Sequence, residues 1–168
     1  MCVAVLDYNG INEKERAFVL GLNKANEELL LPMDADELAF LSNTAALFKI
    51  AYVDGVPAGF LIALREGIKE YEVMCYKQFC ERYPKFIYID RVAVDERFRN
   101  QGIARRLYQS VFERAKELGI EVLTAAIVKE PYNEASMGFH GEMGFCEIGE
   151  VIVRGGTVNV SLQAVMIP

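Results

Sequence analysis

The segment Arg97 to Leu107, RFRNQGIARRL, concentrates cations around a single glycine. It places Arg105 and Arg106 in the first turn of an expected helix, where the partial positive charge of the helix end disfavours cations. The same helix end offers amide N–H groups that have no partner within the helix, which makes it a favourable place for an anion. Gly102 and the small Ala104 would let such an anion approach the backbone closely. The pattern therefore predicts a phosphate-binding turn.

Two common nucleotide-binding sequences are excluded at this turn. A P-loop needs Lys followed by Ser or Thr after its last glycine, whereas Ile103 follows Gly102. A dinucleotide-binding turn needs three glycines, and this turn has one. A pyrophosphate without an evident magnesium ligand remains as the predicted anion, and a solvated basic helix start remains as the alternative.

A second place for chemistry is the strand expected over Phe86 to Val94, which is apolar except for the adjacent pair Asp90 and Arg91. A charge at the centre of a buried strand is costly unless it is paired. Adjacent strand residues face opposite sides, so these two pair with each other only across a bulge. They therefore have either separate structural ion pairs or a role toward a substrate.

Composition limits the classes of protein that can carry these groups. The chain has 168 residues, of which 52% are apolar and 25% charged, and this predicts one globular domain over residues 1–168. The net charge of −6 argues against a nucleic-acid partner, and no apolar run is long enough for a membrane span. One histidine and four cysteines without CxxC spacing argue against a metal site and a disulfide framework, so we expect reduced thiols in a cytoplasmic protein.

The elements that must position these groups follow from hydrophobic periodicity and turn chemistry. Strands are expected at Met1 to Leu6, Phe48 to Val53, Val56 to Leu64, Phe86 to Val94, Glu121 to Val128, Glu147 to Val153 and Val158 to Ile167. Helices are expected after Asn12, which forms a capping-box pattern with Glu15, through Leu20; after Asp34; across the apolar positions Tyr71, Met74, Cys75 and Phe79, ending before Pro84; over Ile103 to Leu118; and over about Glu134 to Met143. The pairs Asp54-Gly55 and Gly155-Gly156 are typical hairpin turns. This order predicts an α/β (α+β) fold with a mixed, twisted central sheet of about seven strands and flanking helices.

The strand, turn and helix around the glycine resemble the GNAT superfamily of acyl-CoA-dependent N-acetyltransferases. The family sequence Q/R-x-x-G-x-G/A corresponds to residues 99–104. A later family sequence, N-x-x-(S/A)-x-x-(F/L)-Y-x-x-x-G-F, is matched by NEASMGFHGEMGF at residues 133–145. The resemblance is clear from about Phe48 to Phe145. It implies direct transfer of an acetyl group from acetyl-CoA to a primary amine of a small molecule or peptide, in a ternary complex.

The resemblance also implies which residues bind acetyl-CoA. The turn backbone would hold the pyrophosphate, and the strand before it would bind the pantetheine amides through its main chain, next to a bulge. The implied cofactor-binding residues are Val92, Ala93, Val94, Arg99, Asn100, Gln101, Gly102, Ile103, Ala104, Arg105, Asn133, Ser136 and Phe139. Asn133 is, from its position before a helix, also a cap. At the family level we further expect a homodimer.

The only histidine, His140, stands where many members of the family have a tyrosine near the thioester sulfur. The resemblance implies a general acid that protonates the departing CoA thiolate, and a residue that merely packs is the alternative. Direct aminolysis also needs a proton acceptor, for which Asp90 is the first candidate and Glu66 and Glu130 are the runners-up. We expect Glu66, Arg91 and Glu130 to line the substrate site. Because the family tyrosine is missing, a non-catalytic CoA-binding or sensing module is the alternative function.

Overall fold

A computed structural model describes residues 1–130 and 133–168. These residues form seven strands, five helices and one short 3-10 helix, in the predicted order. The elements are β1 Val3–Asp7, α1 Glu13–Ala25, α2 Ala35–Thr44, β2 Leu47–Val53, β3 Val56–Arg65, α3 Met74–Arg82, β4 Ile87–Val94, the 3-10 helix Glu96–Phe98, α4 Ile103–Leu118, β5 Val122–Glu130, α5 Glu134–Glu142, β6 Cys146–Val153 and β7 Val158–Met166.

The strands form one mixed sheet in the order β1-β2-β3-β4-β5-β7-β6. Strands β4 and β5 run parallel, with Ile87 opposite Leu123, and helix α4 connects them. The pairs β1–β2, β2–β3, β5–β7 and β6–β7 are antiparallel. The structure thus confirms the predicted α/β fold, with a seven-stranded sheet and flanking helices.

The predicted caps lie where the first two helices begin. Side-chain oxygens of Asn12 and Asp34 accept hydrogen bonds from amides in the first turns of α1 and α2. The capping box at Asn12 is nevertheless not closed, because the Asn12 amide donates to the carbonyl of Asn9 at 3.0 Å. The Glu15 carboxylate instead accepts from the Asn9 amide and from the hydroxyl of Tyr52, which ties the start of α1 to β2.

The segment between β3 and β4 differs from the expectation. Apolar spacing predicts a helix from Tyr71, whereas α3 begins at Met74. Gly67 adopts φ +82°, in the left-handed region that favours glycine, and the Tyr71 hydroxyl binds the Asp90 carboxylate. Residues 66–73 therefore form an irregular connection whose path depends on long-range hydrogen bonds rather than on helical periodicity.

The chain comprises two compact units. The first contains Met1–Leu64 and Arg91–Arg114, and the second contains Arg65–Asp90 and Ala115–Pro168. Fully buried side chains of the first unit include Val19, Leu41, Ile50, Phe60, Leu61, Leu107 and Val111. Those of the second unit include Phe79, Phe86, Ile87, Leu123 and Leu162. Each unit therefore has apolar side chains removed from water on both its strands and its helices.

Within the first unit, β3 approaches the last residues of β4 closely at Gly59. A Cβ atom on Gly59 would lie 2.8 Å from the carbonyl oxygen of Ala93, which is a backbone atom. The neighbouring Ala58 carbonyl accepts a hydrogen bond of 2.8 Å from the Asp95 amide. Only glycine therefore fits beside the part of β4 that leads into the arginine-rich turn.

We expect Gly59→Ala to lower the free energy of unfolding by about 1–3 kcal/mol, because the added methyl group meets backbone that cannot move by itself. Gly21→Ala, within α1, is the matched control, since a Cβ there meets nothing within 4 Å. That control should be neutral or stabilising by up to about 1 kcal/mol. Urea denaturation of both variants measures the difference, and equal effects would contradict the close approach.

Candidate functional site

The turn between β4 and α4 has the backbone of an anion site. Asn100 has φ +60° and Gly102 has φ +75°, so two left-handed residues redirect the chain between the 3-10 helix and α4. The Gly102 carbonyl accepts from the Arg106 amide at 3.1 Å, which closes the first turn of α4. A Cβ on Gly102 would meet nothing within 4 Å. The start of α4 is therefore open to an approaching group.

All four arginines of this turn have exposed side chains, and Arg97 forms an ion pair with Asp95. The Asp95 carboxylate accepts from Nε of Arg97 at 3.1 Å and from its Nη2 at 2.8 Å. These hydrogen bonds hold the pKa of Asp95 below its ordinary value. Arg99, Arg105 and Arg106 are exposed. The turn thus presents cations beside helix amides, an arrangement that suits a multiply charged anion.

The predicted cofactor residues of this unit form two stretches, residues 92–94 and 99–105, separated by residues 95–98. Ala93 is buried, and Val92 and Val94 are half-buried, at the end of β4. Asn100 and Gln101 are exposed in the turn, and the side chain of Ile103 is only 2% exposed. Ile103 can therefore contribute to a ligand site through its backbone amide and not through its side chain.

In the second unit, helix α5 carries the predicted residues around His140. Asn133 is the N-cap of α5, and its Oδ1 accepts from the Ser136 amide at 3.4 Å. His140 is 2% exposed and lies edge-on to Phe139 and Phe145, with ring centroids 5.4 and 5.2 Å away. The cap that we expected at Asn133 is therefore present, and His140 lies in an apolar, aromatic environment.

A hydrogen bond determines which ring nitrogen of the neutral His140 carries the proton. Nδ1 lies 2.7 Å from the Ser136 carbonyl oxygen, and a carbonyl can only accept, so Nδ1 carries a proton. Burial lowers the pKa of His140 from its ordinary 6.5, and the hydrogen bond to Ser136 opposes this shift. At neutral pH the ring is then uncharged, with its lone pair on Nε2.

The acidic candidates of the second unit have different surroundings. Asp90 is half-buried on β4, and its Oδ1 accepts from the Tyr71 hydroxyl. Glu66 accepts from Nε and Nη2 of Arg65 at 2.9 and 2.7 Å and from the Phe86 amide at 3.2 Å. Desolvation is the largest influence on Glu66 and would raise its pKa, but these hydrogen bonds together lower it. Glu66 therefore links the end of β3 to the residue before β4, whereas Asp90 binds the Tyr71 hydroxyl.

Arg91 and Glu130, both predicted to contact the substrate, lie in contrasting places. Arg91 is only 3% exposed, and its Nη1 donates to Oδ1 of Asn23 at 3.2 Å and to the Leu31 carbonyl at 3.1 Å. Asn23 is itself fully buried and donates to the same carbonyl at 2.9 Å. Arg91 thus anchors the connection between α1 and α2, while Glu130 is exposed at the end of β5.

Sequence patterns did not identify Asn23 or Tyr71 as partners of the charged pair in β4. The sequence contains an indication of the role of Asn23 but none of the role of Tyr71. Asn23 lies four residues after the buried Val19, on the apolar face of α1, where an amide needs a buried partner. Tyr71 has no such mark, because its periodicity with Met74 and Phe79 favours a helix that does not form there.

Two further observations bear on the chemistry. Among residues 1–130 and 133–168, no group of three or more His, Cys, Asp or Glu side chains is arranged to hold a metal ion. In the same part of the chain, no helix has the length and apolarity that crossing a membrane requires.

A family model described as the acetyltransferase (GNAT) family matches residues 13–145. No curated protein matches the chain. Similar solved structures include the NatC complex bound to Gag peptide and CoA, at 16% identity, covering 100% of both chains with a TM-score of 0.77. NAA60 from Arabidopsis thaliana in complex with a bisubstrate analogue has 15% identity, covers 99% of this chain and 98% of that one, and gives 0.75. YncA from Salmonella typhimurium with acetyl-CoA has 17% identity, covers 100% and 95%, and gives 0.73. At these identities the likeness shows the fold.

The lowered pKa of His140 predicts a pH-dependent loss of stability. The unfolded chain takes up a proton near pH 6.5, and the folded chain resists it, so stability is complete above pH 6.5 and falls as the pH drops below it. His140→Asn keeps a donor near the Nδ1 position and cannot become charged. Between pH 8 and pH 5, we expect Tm of the parent protein to fall more than Tm of the variant. Parallel curves would contradict the buried neutral histidine.

Proposed function

Since this chain belongs to the acetyltransferase (GNAT) family, we propose that it transfers the acetyl group of acetyl-CoA directly to a primary amine of a small molecule or a peptide. It is an acyltransferase, and residues 1–168 act as one acetyltransferase domain. The observation that carries the proposal is the turn at Gly102, where an open helix start lies among exposed arginines in a chain that the family model covers from residue 13 to 145.

The residues of the turn fit the diphosphate of acetyl-CoA. The open space at Gly102 and the amides of Gln101 to Arg105 would hold the pyrophosphate, with Arg99 beside them. Main-chain groups of residues 92–94 would bind the pantetheine arm, and Asn133, Ser136 and Phe139 would contact the remainder. Acetyl-CoA supplies an activated acetyl group as a thioester. The amide of Val92 or Ala93 would polarise its carbonyl.

The acceptor is an amine that reaches Asp90. The half-buried Asp90 carboxylate is the proposed proton acceptor for the attacking amine. Glu130, exposed at the end of β5, is a proposed substrate contact, whereas Glu66 and Arg91 act on the acceptor site through the segments that they hold. The NatC structure contains a peptide, and the NAA60 structure contains a bisubstrate analogue, which supports a peptide amine as one acceptor class.

His140 is the proposed proton donor to the CoA thiolate. Because its Nδ1 proton is bound to the Ser136 carbonyl, the donated proton would come from Nε2 of the imidazolium form. Burial favours the neutral form, so this donor is populated chiefly below pH 6.5 and is a stronger acid than an exposed histidine.

We also propose that the enzyme is cytoplasmic, since all four cysteines are free thiols.

The first test concerns the cofactor site. We expect Gly102→Ala to weaken CoA binding by about tenfold or more, because a side chain there is strained and reaches into the space proposed for the pyrophosphate. Gly119→Ala is the matched control, since Gly119 has φ +67° and equally open surroundings at the other end of α4. Isothermal titration with CoA should separate the two variants. Equal weakening, or no CoA binding by the parent protein, would contradict the assignment.

The second test concerns turnover and His140. Release of free thiol from acetyl-CoA should be measured with amino acids, polyamines, aminoglycosides and peptides as acceptors. His140→Phe should lower kcat by about 10²-fold, the low end for general acid catalysis, since a thiolate is a modest leaving group. In the parent protein, the contribution of His140 to kcat should be lost as the pH rises through its lowered pKa, below pH 6.5, and the variant should lack this fall. An unchanged kcat would leave His140 a packing residue, and CoA binding without any thiol release would identify a non-catalytic CoA-binding module.

A further inference from the structure

A buried tyrosine lies against the proposed proton acceptor. Tyr71 is 4% exposed, and its hydroxyl donates to Oδ1 of Asp90. Both residues belong to the second unit, and Asp90 remains half-buried. A phenylalanine would fill the same space, and a buried hydroxyl is costly unless it is hydrogen-bonded. The Asp90 carboxylate therefore supplies a hydrogen-bond acceptor for the buried hydroxyl of Tyr71.

The neighbouring Tyr76 helps to hold Tyr71 in position. The Tyr76 hydroxyl donates to the Arg65 carbonyl at 2.6 Å and accepts from the Ile68 amide at 3.0 Å. Burial raises the pKa of Tyr76 to about 12, so this hydroxyl stays protonated. The rings of Tyr71 and Tyr76 meet edge-on, with centroids 5.3 Å apart and planes at 74°. Tyr76 thus holds both the start of the connection and the ring of Tyr71.

Glu66 anchors the same connection from its other side. Its carboxylate binds the guanidinium of Arg65 through two hydrogen bonds and accepts from the Phe86 amide, one residue before β4 begins. The connection over residues 66–73 is therefore attached both at the end of β3 and at the start of β4. Such attachment restricts where the Tyr71 hydroxyl can lie and gives it a defined position at Asp90.

We propose that Tyr71 is a positioning residue that orients the Asp90 carboxylate for proton transfer. The inference rests on the proposed acetyl transfer. By holding Oδ1, Tyr71 directs Oδ2 toward the amine. As the bond between the amine nitrogen and the acetyl carbon forms, the amine proton passes to Oδ2. The bond between that carbon and sulfur breaks, its electron pair leaves with the thiolate, and the thiolate takes up a proton. Tyr71 keeps its own proton throughout.

The test is a double-mutant cycle on thiol release, with acetyl-CoA and the fastest acceptor of the amine panel. Tyr71→Phe should lower kcat by about tenfold, with KM for acetyl-CoA unchanged, because a misdirected carboxylate is a poorer base. Tyr83→Phe is the matched control, because it removes a hydroxyl from the tyrosine that follows α3 and Tyr83 is not part of the proposed site. This variant should retain the parent rate. The decisive measurement is Tyr71→Phe combined with Asp90→Asn. This double variant should be no slower than Asp90→Asn alone, since Tyr71 acts only through that carboxylate.

The outcomes separate the inference from the proposed function. An active parent protein whose Tyr71→Phe variant keeps the full rate would overturn the inference alone. So would losses from Tyr71→Phe and Asp90→Asn that multiply, because they would show that Tyr71 acts by general structural support. If the parent protein releases no thiol with any amine of the panel, the proposed acetyl transfer is overturned, and the inference falls with it. If Tyr71→Phe does not fold, Asp90→Glu, which displaces the carboxylate by one methylene, should show the same loss of kcat, and a full rate would overturn the inference.

Discussion

Two adjacent charges in the middle of strand β4 constrain much of this molecule. A charge in an apolar strand must find hydrogen-bond partners, because burying it without them costs several kcal/mol. Arg91 finds the amide of Asn23 and the carbonyl of Leu31, so the connection after α1 is attached to β4. Asp90 finds the hydroxyl of Tyr71, so the connection after β3 is attached to the same strand. The paths of the connections after α1 and after β3 thus depend on the hydrogen bonds of Arg91 and Asp90.

The turn that follows β4 shows the opposite electrostatic condition. Cations at the beginning of α4 oppose the helix dipole, and only Arg97 of the turn arginines shares a bidentate pair with Asp95. The exposed arginines near the helix start and the positive φ of Asn100, which is not a glycine, are both unfavourable in an isolated peptide. In the proposed function, the pyrophosphate of acetyl-CoA would bind at this turn and offset that cost, so residues that are unfavourable in an isolated helix would be useful in an acetyltransferase of the GNAT family.

The proton chemistry of the proposed reaction reflects local environment more than residue type. His140 is enclosed by Phe139 and Phe145, so burial lowers its pKa and the Ser136 carbonyl fixes the proton on Nδ1. Asp90 is half-buried, and its Oδ1 accepts a hydrogen bond from the Tyr71 hydroxyl. A carboxylate that is accessible and held in one orientation suits proton acceptance from an amine, whereas an enclosed imidazole donates a proton only when it is charged.

Local sequence predicted the order of the elements, the caps at Asn12 and Asp34 and the turn at Asp54-Gly55, because each of these depends on residues a few positions apart. The residue types of the candidate site are likewise visible in the sequence, and the family resemblance supplied their proposed roles. The hydrogen-bond partners of Asp90 and Arg91 were not predictable from the sequence. Tyr71 meets Asp90 across 19 positions, and Arg91 meets Asn23 across 68. The protonation of His140 likewise depends on burial, which is a property of the packed chain. Local sequence settles backbone conformation, while the folded molecule settles partners and proton affinities, since both arise from contacts that close only on folding.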